Sequence, residues 1–147
     1  SLFSLDSSSG QIILVGSLDR ETTSIHTLLV TGSDGTNTAT ATVSVTVTDV
    51  NDNAPIFNPV AYSGTVSEAD ATGASTVATV TATDADDPNT NSNGKINYSI
   101  LSGGGGVFSI GTSSGAIITT SQLDYETATS YTLIIKAVDK SGVAGAR

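Results

Sequence analysis

The sequence predicts an all-β protein assembled from antiparallel sandwich repeats. Three observations carry that prediction. Apolar residues alternate with period two and nowhere show a convincing helical period, clusters of Gly, Asn, Asp and Ser punctuate the alternating segments, and the chain repeats itself at an offset of 105 residues.

The repeat is visible without a gap. Phe3-Ser4-Leu5 falls on Phe108-Ser109-Ile110, Ser9-Gly10-Gln11-Ile12 on Ser114-Gly115-Ala116-Ile117, and Leu18-Asp19-Arg20-Glu21 on Leu123-Asp124-Tyr125-Glu126. The same offset carries Leu28, Val30, Gly32 and Asp34 onto Leu133, Ile135, Ala137 and Asp139. A period of this length is domain-sized, so each copy is expected to bury its own core rather than stack as a solenoid. The first copy is read as residues 1–53, the C-terminal half of a repeat ending in its linker, and the second as residues 54–147, a repeat lacking its last strand.

Within the copies, Ala41-Thr42-Val43-Ser44-Val45-Thr46-Val47-Thr48 puts each Val on one face and each Thr or Ser on the other, the mark of a half-buried strand. Further strands read at Ser24–Thr31, Val77–Thr83, Lys95–Ile100, Ala116–Thr120 and Ser130–Val138. Many short strands with turn punctuation give an antiparallel sandwich of the immunoglobulin-like kind, without the cysteine pair and tryptophan of an antibody domain.

Composition narrows the function. With 14 acidic and 5 basic residues the chain carries a formal charge of −9, which repels nucleic acid and anionic lipid and favours metal cations or basic partners. The absence of cysteine removes disulfides, thiol catalysis and thiolate metal sites. Apolar runs as short as Ile12-Ile13-Leu14-Val15 predict no membrane insertion by this segment, and Ser1-Leu2-Phe3-Ser4 lacks the features of a signal peptide, so the piece is read as internal to something larger.

The carboxylates gather at strand ends and turns. Two of them about 4 Å apart repel by roughly 4 kcal/mol at an effective dielectric near 20, so such clusters need a positive partner. Five basic residues do not supply enough, and oxygen-only ligands with no cysteine and one histidine select a hard cation, Ca²⁺. An EF-hand reading of Asp84-Ala85-Asp86-Asp87-Pro88 fails, because Pro88 takes the third ligand position and no helices flank it. The bland alternative is that Asp and Asn only mark turns.

The ordered set of motifs resembles the cadherin repeat family along the whole chain. Asp49-Val50-Asn51-Asp52-Asn53-Ala54-Pro55-Ile56-Phe57 is similar to the linker between successive cadherin repeats. Leu18-Asp19-Arg20-Glu21 precedes it, and Val66-Ser67-Glu68, Asp84-Ala85-Asp86, Leu123-Asp124-Tyr125-Glu126 and Ala137-Val138-Asp139 follow. The resemblance implies tandem immunoglobulin-like Greek-key β-sandwiches joined by a linker that holds up to three Ca²⁺ ions. Two ions would be held by Asp19, Glu21 and Asp52, with Asp49, the Val50 carbonyl and Asp86 completing the second. Asn51, the Asn53 carbonyl, Asp84, Asp86, Asp139 and the Asn93 carbonyl would hold the third. The family's glutamate in the first strand of the first repeat would precede Ser1, so the third site is expected to be the most complete. Asp34, Glu68, Asp124 and Glu126 are assigned to neighbouring junctions.

His26, the single histidine, stands where Tyr131 stands in the second copy, which favours packing over a role as general base. Asn97-Tyr98-Ser99 is an N-glycosylation sequon with Asn97 as acceptor, and the Thr/Ser face of residues 39–48 admits O-linked sugar under the resemblance. The function implied is a calcium-rigidified extracellular module of a cell-adhesion protein, the ectodomain of a membrane protein or a secreted or surface fibre, with other such repeats, in the same chain or in trans, as partners. The alternative is a structural repeat of an extracellular fibre, matrix or microbial surface adhesin, which the Ser/Thr/Gly/Ala-rich, lysine-poor composition favours. No enzyme is expected, since the carboxylates match calcium motifs and not a poised acid–base pair.

Overall fold

A computed structural model describes residues 1–70, 72 and 75–139. Among them no helix is long and apolar enough to cross a membrane, and the only helical element is the single 3₁₀ turn Gly104–Gly106. The contacts divide the chain into two compact units, Ser1–Asp49 and a second from Val50 onward. By its contacts, the segment Val50-Asn51-Asp52-Asn53 therefore goes with the second unit.

The first unit is two antiparallel hairpins. In one, β1 (Phe3–Leu5) pairs with β2 (Ile12–Leu14), Phe3 opposite Leu14. In the other, β3 (Ile25–Ser33) pairs with β4 (Thr38–Thr46) in an uninterrupted register from Ile25 opposite Thr46 to Ser33 opposite Thr38. The alternation read in the sequence is the alternation of burial: Val43, Val45 and Val47 are half-buried while Thr42, Ser44 and Thr46 are exposed. β4 begins and ends slightly ahead of the expected segment, and Val47 extends the ladder by one bond to the Ser24 carbonyl at 2.9 Å.

Among its described residues the second unit holds seven strands: β5 (Ile56–Phe57), β6 (Thr76–Thr79), β7 (Ala82–Thr83), β8 (Asn97–Gly103), β9 (Phe108–Ile110), β10 (Ala116–Thr119) and β11 (Leu133–Val138). β5 pairs with β7, β10 lies between β6 and β9, and β8 pairs with β11 across the intervening β9–β10 hairpin, all antiparallel. That skip puts β8 and β11 in a different sheet from the β9–β10 hairpin between them, as a Greek-key sandwich requires. Val80, Tyr98 and Ile117 are buried between the layers, with Phe57, Phe108, Leu133 and Ile135 packed around them.

The single strand expected over Val77–Thr83 is two. Val80 donates its N–H to the Gly115 carbonyl (3.0 Å), but Thr81 turns to the Tyr62 hydroxyl, which accepts from its N–H (3.0 Å) and donates to its carbonyl (2.7 Å). The Tyr98 hydroxyl then accepts from the Ala82 N–H at 2.9 Å. Two phenols thus satisfy the backbone where the ladder breaks, keeping its polar groups paired.

The internal repeat extends to individual bonds. Phe3 opposite Leu14 has its equivalent in Phe108 opposite Thr119. Gly10 and Gly115 each take a positive φ (73° and 66°), and each donates back to the residue that opens its turn, Asp6 and Gly111, at 2.8 and 2.9 Å. His26 packs edge-on against Phe3 with centroids 5.4 Å apart, and Tyr131 against Phe108 at 5.2 Å. The histidine fills the place of an aromatic packing partner.

Candidate metal centre

In the second unit the linker and two strand ends converge on Asp86. Asp84 and Asp86 follow β7, and the Asp84 carboxylate accepts the Asp86 backbone N–H at 2.9 Å, a two-residue turn that aims both side chains to one side. Asp139 immediately follows β11. One carboxylate oxygen from each of Asp84, Asp86 and Asp139 lies within 4.8 Å of the others, and Asp86 is only 2% exposed.

The linker closes over this group. Asn53 donates its backbone N–H to Asp86 Oδ2 (3.2 Å) and its side-chain amide to Asp86 Oδ1 (2.8 Å) and Asp52 Oδ1 (3.0 Å). Asn51 Oδ1 is buried with no hydrogen-bond partner. A buried amide oxygen without a donor costs about 1–3 kcal/mol, and three crowded carboxylates repel one another, so both features fit a hard cation taking oxygen ligands. Val50, expected to offer its carbonyl, has an exposed side chain.

Asn93 is buried, and the turn around it is tightly specified. Asn91 and Ser92 both take positive φ, 52° and 63°, and the Asn93 N–H closes on the Thr90 carbonyl at 3.0 Å. Gly94 passes so close to the Asp86 carbonyl that a Cβ there would sit 2.1 Å from it. The loop from Pro88 therefore folds back onto Asp86 and brings Asn93 with it.

A second acidic group in this unit joins Glu68, Asp124 and Glu126, all exposed, with carboxylate oxygens within 4.8 Å of one another. Asp124 accepts the Thr127 hydroxyl (2.8 Å) and N–H (3.2 Å) and the Glu126 N–H (3.0 Å). The Thr127 hydroxyl first, and then its amide, hold the Asp124 carboxyl below the ordinary carboxylate range. Glu68 accepts the Tyr125 N–H at 2.7 Å, tying the two segments together. Asn97 is exposed at the start of β8, opposite Val138, while its neighbour Tyr98 points into the core.

In the first unit Asp19 repeats the Asp124 turn: it accepts the Thr22 N–H (3.1 Å) and hydroxyl (2.8 Å), and the hydroxyl first, then the amide, lower its pKa. Asp34 caps the β3–β4 hairpin, its Oδ1 accepting from Thr36 N–H (2.8 Å) and Asn37 N–H (2.7 Å), and the Asn37 amide leads in holding its carboxyl down. Asp49 is different. Its side chain has no exposed surface and forms an ion pair with Nε of Arg20, whose terminal nitrogen pairs with Glu21. Burial acts to lower the Arg20 pKa, yet the charges of Asp49 and Glu21 outweigh it and hold the guanidinium above its ordinary value. Sequence reasoning quoted Arg20 inside its motif and gave it no task; the signal available was a lone cation between two acidic motif residues.

The family model for the cadherin domain matches residues 62–147. The chain is 39% identical over 140 residues to human protocadherin Fat 4, covering 93% of this chain and 3% of that protein. It is 39% identical over 150 residues to chicken cadherin-1, covering 95% of this chain and 16% of that one. Among solved structures, chicken VE-cadherin EC1-2 superposes with a TM-score of 0.84 at 32% identity, over 98% of this chain and 72% of that chain. The chain thus spans a small part of the full-length relatives it matches.

Proposed function

The chain belongs to the cadherin family, and from that premise we propose that it is an extracellular, calcium-binding module of a cell-adhesion protein whose partners are other cadherin-like repeats, in the same chain or in trans. Its role on this reading is structural and involves no turnover. The observation that carries it is the convergence of Asp84, Asp86 and Asp139 beneath Asn53, together with a linker asparagine, Asn51, whose buried oxygen has no donor.

The proposed donors in the second unit are Asp84, Asp86, Asp139, the Asn51 side chain and the carbonyls of Asn53 and Asn93. When bound, calcium supplies the positive charge that offsets carboxylate repulsion. The chain's own residues do the positioning: Asn53 orients Asp86, the Asp84 turn aims its carboxylate, and Gly94 lets the Asn93 loop approach. Motif order alone assigns Asp19, Glu21, Asp49, Asp52 and the Val50 carbonyl as further calcium donors, and Asp34, Glu68, Asp124 and Glu126 as donors toward adjoining repeats.

Calorimetric melting in chelator and in millimolar calcium tests the reading. Calcium raises the melting temperature if it binds the folded chain and not the unfolded one, and an unchanged transition would exclude it. Asn97 is proposed as an N-glycan acceptor because its exposed side chain leaves room for sugar. Secretory expression in eukaryotic cells gives a glycosidase-sensitive mass shift that Asn97→Gln removes; the same mass for both would refute it.

A further inference from the structure

Arg20 ion-pairs with Asp49 and with Glu21, and both acids are proposed calcium donors. The Asp49 side chain is wholly buried, so a cation beside it is a condition for folding without metal: an unpaired buried carboxylate is strongly destabilising. The second copy of the motif provides an internal comparison. Tyr125 stands where Arg20 stands, between Asp124 and Glu126, and its side chain is exposed. Its backbone N–H reaches Glu68, whose carboxylate gathers with those of Asp124 and Glu126. One copy of the motif thus carries a fixed cation inside its acidic group, and the other carries a phenol in its place.

We propose that Arg20 is a built-in counter-ion that sets the calcium affinity of the first unit's donors. The inference rests on the calcium reading above and deepens it. Without calcium, the guanidinium neutralises Asp49 and Glu21 and keeps the fold intact. Calcium then gains less than it would from naked carboxylates, because it replaces or shares an existing pairing and is repelled by a neighbouring positive charge. The same motif with tyrosine carries no such internal opposition.

The test uses the full 147-residue chain and two substitutions, Arg20→Tyr, the residue of the second copy, and Arg20→Lys, which keeps the charge. Each is melted in chelator and titrated calorimetrically with calcium chloride. Arg20→Tyr is expected to melt lower in chelator and to reach half-saturation at a calcium concentration about tenfold lower, a change of about 1.4 kcal/mol. Arg20→Lys stays within about threefold of the parent, below 1 kcal/mol by the same conversion. Should Arg20→Tyr not fold in chelator, Arg20→Gln, which keeps a donor for Asp49 without the charge, undergoes the same comparison. A parent that responds to calcium while the neutral variants bind with equal or weaker affinity overturns the counter-ion role and leaves the calcium reading standing. A parent that does not respond at all overturns both.

Discussion

Replacing Asp84 by asparagine changes one charge and almost no volume, and it should move the ion-free and calcium-loaded stabilities in opposite directions. The side-chain amide of the Asp84→Asn variant keeps an oxygen to accept the Asp86 N–H, so the turn that holds the pair is preserved. In chelator the substitution removes the repulsion of Asp84 with Asp86 and with Asp139, whose nearest oxygens lie within 4.8 Å. At that separation a carboxylate pair repels by about 3.5 kcal/mol at an effective dielectric of 20. Asp84 and Asp139 are only half-buried, and solvent screening brings the net relief down to about 1 kcal/mol. For a domain of this size that is a rise of about 4–8 °C in melting temperature. In calcium the sign reverses. With Kd on the order of 10⁻⁴ M and a hundredfold excess of ion, the parent gains about 2.7 kcal/mol, and the variant, short of one charged donor, gains less than half of that. Scanning calorimetry of both proteins in chelator and in about 10 mM calcium, a hundredfold excess over such a Kd, reads all four values. If Asp84→Asn kept the parent's calcium increment, or lost stability equally in both buffers, the carboxylates would not be gathered for a cation.

Tyr98→Phe leaves the Ala82 N–H without its acceptor at a half-buried position and should cost about 1 kcal/mol, seen as a lower denaturation midpoint with an unchanged slope. Gly94→Ala drives a Cβ toward the Asp86 carbonyl; calcium affinity measured by titration should fall along with stability, and a stability loss with full affinity would detach the Asn93 loop from the metal. Asp6 and Asp34, held down chiefly by the amides of Ser9 and Asn37, have folded pKa values below the ordinary 3.8, so their stabilisation is present above that pH and lost as pH falls below it. Melting temperatures in chelator should therefore decline on the acid side of 3.8, and less steeply for Asp6→Asn or Asp34→Asn; a parallel decline in the variants would refute that assignment.

The alternation of Val and Thr in β4, and the repeat that brings Phe3 onto Phe108, were legible because each is a local pattern that fixes which face turns inward. The same patterns do not report which polar atoms meet. The break after Val80 depends on Tyr62, nineteen residues earlier than Thr81, and nothing in the alternating run from Val77 to Thr83 signals it. Three-residue strands such as β1, β2 and β9 are too short to show a period, and only the repeat marked their segments. Arg20 precedes β3 and Asp49 follows β4, and the antiparallel register brings both to the open end of the hairpin, so their pairing is a consequence of hairpin register and not of spacing.

The acidic residues present a harder case, because capping a turn and holding a cation draw on the same chemistry. Asp19, Asp34 and Asp124 all accept backbone amides, the bland role that turn propensity assigns to aspartate. Yet a carboxylate has about four acceptor sites, and two or three hydrogen bonds leave some of them open. Amide donors also keep the group ionised, which is the form a cation requires. The turn therefore prepares the ligand: the bonds that lower the pKa of Asp19 and Asp124 also fix their direction, so less ordering remains for a metal to impose. On this account the choice between turn marker and calcium donor is decided by what gathers around the remaining lone pairs. The hydrogen bonds of Asp34 run to its own hairpin, whereas Asp124 also has Glu68 and Glu126 within reach.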